Sequence, residues 1–120
     1  MTLRECYEKI GGDYEGSCKR LMNEKLLERF LQKFFDDPSM QLLVDAVKEG
    51  NIESSFRAVH TLKGVAGNLG LSRLYNSAVN LTEQLRPRQN QADSALLLAL
   101  IDEYNATTGT LKEYFAAKEA

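Results

Sequence analysis

The fold of this chain can be read outward from one stretch, residues 51–70, whose sequence is NIESSFRAVHTLKGVAGNLG. Asn51 begins the stretch and Gly70 ends it, and these residue types are favoured at the two ends of helices. Between them, apolar side chains recur at steps of three and four residues, the period of a helix with one buried face: Ile52, Phe56, Val59, Leu62, Ala66 and Leu69. The stretch therefore predicts an amphipathic helix that packs through a single stripe.

Toward the N-terminus, capping signals divide the chain into shorter helices. A capping box at Thr2 and Glu5 opens the first, and the Gly11-Gly12 pair ends it. Three further polar residues are predicted to cap the helices that follow, the last with a proline at the first helical position: Asp13, Asn23 and Asp37. The third helix is expected to place four apolar residues on one side: Leu27, Phe30, Leu31 and Phe34. Either one kinked helix or two helices over residues 23–49 fits this pattern.

Toward the C-terminus, two more helices are predicted. Ser72 is expected to cap the first, whose apolar stripe includes Leu74, Ala78, Leu81 and Leu85. A polar linker over residues 86–91 follows, and Asp93 caps a long last helix. Residues 107–110, TTGT, are poor helix formers, so a local bend there is compatible with the pattern. The whole chain, 1–120, is predicted to be a single all-α domain, an antiparallel bundle of four main helices with short N-terminal helices.

The composition of the chain excludes several classes of protein. The 120 residues are 43% hydrophobic and 27% charged, which excludes a disordered chain. With 15 basic and 17 acidic residues, the net charge of -2 has the wrong sign for a general nucleic-acid binder. No apolar stretch approaches the ~20 residues of a membrane span, and the N-terminus lacks a signal-peptide pattern. We therefore expect a cytoplasmic monomer without nucleic-acid or membrane partners.

The two cysteines, Cys6 and Cys18, are expected to be free thiols, because nothing in the sequence indicates export. Together with the one histidine they match no zinc-binding spacing, so no metal site is predicted.

The one histidine, His60, lies at the flank of the stripe in the central helix. On a helical wheel, Gly64 and Gly67 fall within about 40° of it. Each glycine costs about 1 kcal/mol relative to alanine in a helix, and each removes a side chain that could cover the imidazole. Arg57 and Lys63, three residues before and after, can place cations near the ring.

An uncovered imidazole between cations suits the acceptance of a phosphoryl group. Neutral imidazole is a good nucleophile at physiological pH, and the cations offset the charge on the phosphoryl oxygens. The chain has no glycine-rich nucleotide loop and no evident Mg²⁺-binding carboxylates near His60. A partner would have to supply the metal. Three plainer readings stay open: an ordinary surface histidine, glycines that allow close helix packing, and a solvated charged face.

The run over residues 56–70 closely resembles the signature of histidine-containing phosphotransfer (HPt) domains. That signature is His-x-x-Lys-Gly-x-x-x-x-apolar-Gly, and five positions match it: His60, Lys63, Gly64, Leu69 and Gly70. The turn over residues 49–51, Glu-Gly-Asn, is similar to the family's turn into the active helix, and the predicted architecture agrees along the whole chain.

The resemblance implies that His60 is phosphorylated and exchanges the phosphoryl group with an aspartate of a response-regulator receiver domain. Lys63, with Arg57, would stabilise the phosphoryl group, and a receiver would dock on Gly64, Gly67 and Asn68. Some members place a polar side chain of the next helix beside the imidazole, and Thr82 is the candidate here. The implied partners are receiver domains and a sensor histidine kinase. No cofactor is implied in this chain, since Mg²⁺ would come with the receiver.

Several alternatives remain. The chain is expected to be a carrier and not an enzyme, either a free-standing bacterial protein or a domain of a hybrid sensor kinase. A degenerate bundle that docks receivers without being phosphorylated is the main alternative. An autonomous phosphohistidine phosphatase or kinase, or the substrate domain of a chemotaxis-type kinase, would use the same histidine.

Overall fold

The computed structural model describes residues 1–119, and all regular structure within them is helical. Seven helices follow one another: α1 (Leu3–Ile10), α2 (Tyr14–Arg20), α3 (Glu24–Phe34), α4 (Ser39–Lys48), α5 (Ile52–Asn68), α6 (Ser72–Leu85) and α7 (Ser94–Glu119). The predicted all-α fold is confirmed. Residues 23–49 form two helices, because residues 35–38 separate α3 from α4.

Most of the predicted caps are present. The Thr2 capping box is complete, and four other side chains accept a hydrogen bond from a backbone amide three residues on: Asp13, Asn23, Asn51 and Asp93. Two predicted starts are wrong by one residue. Helix α4 begins at Ser39, with Pro38 at the cap position and the Asp37 carboxylate accepting from the Ser39 amide at 2.9 Å.

Helix α6 begins at Ser72 itself. Its cap position is Leu71, which offers no side-chain hydrogen bond, and its first turn closes through the Tyr75 amide and the Leu71 carbonyl at 2.8 Å. The predicted cap at Ser72 is therefore wrong: the Ser72 hydroxyl donates to the Gly70 carbonyl at 3.5 Å, and the Arg73 amide of the first turn donates to the Gly11 carbonyl at 3.2 Å.

The predicted apolar side of α3 needs one correction. Leu27, Leu31 and Phe34 are buried, but Phe30 is 42% exposed and has the Lys33 ammonium over its ring. At 100° per residue, Phe30 lies about 60° from Leu27, at the edge of the buried stripe.

Helix α7 runs unbroken through residues 107–110. Thr107 and Thr108 are buried there, and the Thr108 hydroxyl donates to the Tyr104 carbonyl at 2.9 Å. Tertiary packing therefore outweighs the low helix propensity of this segment.

Most of the packing in the bundle joins helices that follow one another in the chain. Helix α5 packs between α4 and α6, α6 packs on α7, and α1 packs on α7 and α2. The end of α3 and the residue after it reach α7 through the edge-to-face ring pairs Phe34–Tyr104 at 5.8 Å and Phe35–Phe115 at 6.0 Å. Because only three residues connect α4 to α5 and α5 to α6, these packed neighbours run antiparallel.

The N-terminal helices fasten the end of α5. The Leu69 carbonyl accepts hydrogen bonds from the Tyr7 hydroxyl at 2.6 Å and from the Ser17 hydroxyl at 3.0 Å, and the Asp13 amide donates to the Gly70 carbonyl at 2.8 Å. Gly70 has φ +65, and a Cβ on it would lie 1.8 Å from the Ser17 hydroxyl oxygen. Glycine at this position of the motif is thus required by the backbone and by close packing.

Two further findings bear on the sequence predictions. Cys6 and Cys18 are free thiols, and burial raises the pKa of the Cys6 thiol to about 11. Among residues 1–119, none of the helices combines the length and the apolar character needed to cross a membrane.

Glu28 is a buried carboxylate that ties α3 to the end of α7. Its Oε2 accepts hydrogen bonds from the Tyr114 hydroxyl at 2.8 Å and from the Lys118 ammonium. Burial favours the neutral acid, but these two hydrogen bonds and the Lys118 charge together outweigh it, so the pKa of Glu28 lies below its ordinary value.

A depressed pKa in the folded state means that Glu28 stabilises the fold above its ordinary pKa of about 4.3 and loses this effect as the pH falls below it. We expect Glu28→Gln to lower the free energy of unfolding at pH 7 by about 1–2 kcal/mol and to lose less stability than the wild type on acidification. Urea unfolding at pH 7 and below pH 4 measures both effects. Glu8→Gln, at an exposed carboxylate of α1, is the control, and the same acid dependence in all three proteins would contradict the prediction.

Candidate functional site

His60 lies on the face of α5 that its neighbouring helices leave free. Val59 and Leu62 are fully buried, whereas the His60 side chain is exposed. Its imidazole contacts the ring of Phe56 one turn earlier, with ring centroids 5.6 Å apart and planes tilted by 32°. The imidazole is thus accessible from solvent, while the buried stripe of α5 fixes the backbone beneath it.

The two glycines near His60 have different surroundings. A Cβ built on Gly64 meets nothing within 4 Å, so this surface is open as the wheel predicted. A Cβ on Gly67 would lie 3.2 Å from two ring atoms of Tyr75 in α6. Gly67 therefore accommodates the close approach of an aromatic side chain, which is the packing alternative that the sequence left open.

The predicted cations lie on different sides of the imidazole. The Arg57 Nε donates to the Glu53 carboxylate at 3.2 Å, and Arg57 lines a groove between α5 and α4. Lys63 is half-buried on the α6 side, where its charge acts on Glu83 together with that of His60. Lys63 and His60, three residues apart on α5, thus both act on Glu83, while Arg57 is engaged with Glu53.

Thr82 does not fill the place expected for it. Its side chain is fully buried in the stripe of α6, and its hydroxyl donates to the Ala78 carbonyl at 2.7 Å. The next residue, Glu83, is exposed and is the α6 carboxylate on which the charges of His60 and Lys63 act. The Thr82 hydroxyl is therefore engaged within α6, and at 100° per residue the next position, Glu83, already lies on the surface.

Asn68 is exposed near the C-terminal end of α5. It lines a shallow groove toward α3, together with the partly exposed ring of Phe30 and with Lys33. Asn68 therefore belongs to the α3 side of the His60 face and not to the α6 side where Lys63 lies.

The sequence analysis missed a group of side chains at the N-terminal end of this face. Arg88, in the loop after α6, places its guanidinium carbon 3.5 Å from the centroid of the Phe56 ring, and the Arg86 guanidinium lies 5.4 Å from the same centroid. The loop appeared in the sequence only as a polar linker. The two arginines beside Pro87 were its one distinctive signal, and no spacing rule connects them to Phe56.

Two carboxylates, Glu53 and Glu83, form ion pairs with these arginines. A hydrogen bond from Arg88, with a second from Arg57, lowers the pKa of Glu53 below its ordinary value. A hydrogen bond from Arg86 at 2.5 Å likewise lowers the pKa of Glu83. Both carboxylates are therefore ionised at neutral pH. These interactions join four cations to two carboxylates: Arg57, Lys63, Arg86 and Arg88 to Glu53 and Glu83.

Residues 1–119 contain no group of three or more histidine, cysteine, aspartate or glutamate side chains placed to hold a metal ion.

Comparison with protein families decides the identity of the domain. The family model described as "Hpt domain" matches residues 25–110, from the start of α3 into α7. The chain belongs to the Hpt family. Searches of the curated proteins and of the solved structures found no match.

Membership of the Hpt family indicates the general function of the domain. Hpt domains are phosphotransfer carriers of phosphorelays and interact there with receiver domains and histidine kinases. The only histidine of this Hpt chain, His60, lies inside the matched range. The matched range leaves out α1 and α2, which fasten the end of α5.

The open surface at Gly64 leads to a prediction with a matched control. Gly64 and Gly109 are both helical glycines with open space where a Cβ would lie, so glutamine at either position is expected to raise the free energy of unfolding by up to about 1 kcal/mol. Only Gly64→Gln is expected to slow phosphotransfer, because only its side chain would cover the approach to His60. Urea unfolding measures the stability, and the rate at which phosphoryl label passes from a phosphorylated receiver domain to each variant measures phosphotransfer. Transfer at the wild-type rate by Gly64→Gln would contradict the interpretation of Gly64 as an open approach to His60.

Proposed function

We propose that this Hpt domain accepts a phosphoryl group on His60 and passes it to or from an aspartate of a receiver domain. The observation that carries the proposal is the exposed imidazole of the only histidine, on the free face of α5 with open space at Gly64. The family match supports phosphotransfer in general, and this geometry supports His60 as the acceptor.

The transfer is a substitution at phosphorus. The unprotonated ring nitrogen of His60 attacks the aspartyl phosphate of the receiver, an N–P bond forms, the acyl-phosphate O–P bond breaks, and the aspartate leaves as a carboxylate. The proton on the other ring nitrogen stays in place during the attack. In the reverse direction the carboxylate attacks phosphorus and the imidazole leaves. The Mg²⁺ that neutralises the phosphoryl oxygens would be held by the receiver.

Lys63 is the cation of this chain best placed to act on the phosphoryl group. It lies on the His60 face and interacts with the same carboxylate, Glu83, as His60 does. A partly buried ammonium near the phosphoryl oxygens offsets their charge in the transition state and in phosphohistidine. Arg57 contributes less in this proposal, because Glu53 already engages its guanidinium.

The receiver would dock over the exposed end of α5. Gly64 leaves room for its active-site loops, and Asn68 offers a polar contact on the α3 side. The exposed side chains of Phe30 and Leu42 extend this surface with apolar area on α3 and α4. A small surface of this kind suits the brief encounters of a phosphorelay.

His60→Gln tests the acceptor. The wild type and the variant are mixed with a panel of phosphorylated receiver domains, and the label on this chain is followed over time. We expect base-stable, acid-labile label on the wild type alone, with unchanged helix content in both proteins. Label on His60→Gln would refute the assignment. Binding of receivers without any label on the wild type would favour the docking-only bundle instead.

Lys63→Ala tests the cation. We expect the rate of transfer or the lifetime of phosphohistidine to fall about threefold to tenfold, less than the ~10²-fold effect of a fully buried donor, because Lys63 is only half-buried. Lys63→Arg retains the charge and should recover part of the loss, and Arg57→Ala is the matched control. Equal effects of Lys63→Ala and Arg57→Ala, or no effect of either, would remove the role assigned to Lys63.

A further inference from the structure

One aromatic ring connects His60 to the loop after α6. Phe56 is 8% exposed, and its ring lies 5.6 Å from the imidazole and 3.5 Å from the guanidinium carbon of Arg88. A guanidinium at that distance lies over the face of the ring, where the negative quadrupole attracts the cation. The orientation of the Phe56 ring is therefore set in part by a residue outside α5.

Two hydrogen bonds hold Arg88 in this position. Its Nε donates to Glu53 Oε2 at 3.0 Å, and its Nη1 donates to the Arg86 carbonyl at 2.7 Å. One bond reaches the first turn of α5 and the other stays within the loop. Because a guanidinium is a rigid planar fork, two fixed donors determine the plane that it presents to Phe56.

The rest of the loop is fastened to the same end of the bundle. The Gln91 side-chain amide donates to the Gly50 carbonyl at 3.0 Å, just before α5. Gln84 closes the loop on itself, donating to the Gln91 carbonyl at 3.0 Å and accepting from the Asp93 amide at 2.8 Å. The backbone that carries Arg88 is thus held against the start of α5.

Arg88 adopts a backbone conformation that its residue type disfavours. Its φ is +55, in the left-handed region that glycine and asparagine enter more readily than arginine. Within residues 1–119 the only other non-glycine residue with positive φ is Met22, in the turn between α2 and α3. A strained residue whose side chain reaches the functional helix indicates that the side chain has a use there.

We propose that Arg88 is a positioning residue for phosphotransfer, which orients the His60 imidazole by holding the ring of Phe56. The proposal rests on His60 being the phosphoacceptor. An exposed imidazole rotates freely unless a neighbour restricts it, and attack on phosphorus requires the ring nitrogen to be aligned with the bond that breaks. Arg88 acts on the imidazole through the ring of Phe56, so this role needs no contact with the phosphoryl group.

The test compares substitutions that distinguish the effect of the Arg88 side chain from the effect of its backbone conformation. Arg88→Asn removes the cation but tolerates the left-handed backbone, so the loop keeps its conformation. Arg88→Lys retains a cation without the planar fork, and Phe56→Leu keeps an apolar side chain without a ring. Arg4→Gln removes a cation from α1 and is the control. Far-UV circular dichroism and thermal melting establish that each variant is folded.

Two measurements report on the imidazole. His60 is the only histidine, so its ring C–H resonances are identified in a proton spectrum without ambiguity, and Overhauser effects between them and the Phe56 ring report the contact. The rate of labelling is then measured with phosphoramidate as donor, whose P–N bond breaks as the His60 N–P bond forms and ammonia leaves. This donor needs no docking surface, so its rate reports the imidazole and not receiver binding.

We expect Arg88→Asn to shift the His60 resonances, weaken the Overhauser effects and slow labelling at least threefold, within the ~10²-fold that misplacement of a reacting group costs. Arg88→Lys should be intermediate, Phe56→Leu should resemble Arg88→Asn, and Arg4→Gln should resemble the wild type. Unchanged resonances and rates in folded Arg88→Asn overturn the proposal and leave His60 as acceptor. A wild type that takes no label from phosphoramidate or from any receiver overturns the proposed function itself, before any Arg88 variant is compared.

Discussion

The arrangement of the whole molecule depends on the burial of one stripe of α5 between α4 and α6. Val59, Leu62 and Ala66 have no exposed surface, so α5 can neither rotate nor slide without exposing apolar area to water. The same constraint leaves one face of α5 free and puts His60 on it. At its two ends the helix is fixed by the Asn51 cap and by the Leu69 carbonyl, which the N-terminal helices bind. A rigid helix with one open face is what a carrier needs, because the nucleophile must be reachable while its backbone stays still.

The glycines of α5 and its end show how stability and access are divided. Gly70 serves the fold, since its positive φ and its contact with Ser17 allow the chain to turn and close against α2. Gly67 allows Tyr75 to approach, and so joins α5 to α6. Gly64 alone has open space, and its helix-weakening effect has no compensating contact within the chain. No contact within the chain explains glycine at this position of α5, whereas the access of a partner to His60 does.

Much of the fold and the centre of the site could be predicted from the sequence, because both depend on short-range patterns. Polar caps such as Asn51, the period of the α5 stripe and the position of His60 all follow from residues within two or three turns of one another. The errors lie where longer-range packing decides. Thr82 was expected beside the imidazole but is fully buried, because the rotation of α6 against α5 cannot be read from α6 alone. Arg88 was missed because its partner Glu53 is 35 residues away along the chain.

The same contrast between short-range patterns and long-range packing explains what the family signature can and cannot determine. The signature residues His60, Lys63 and Gly64 all lie on α5 and specify the nucleophile, a nearby cation and an open approach. The orientation of the imidazole depends in addition on Phe56 and on the loop that carries Arg88, and the contact between them requires α5 and α6 to be packed first. Loops vary more freely among related proteins than the helices they connect. In this chain, a change in the loop is therefore expected to alter how the imidazole is held, and with it the rate of phosphoryl exchange, without any change in the motif.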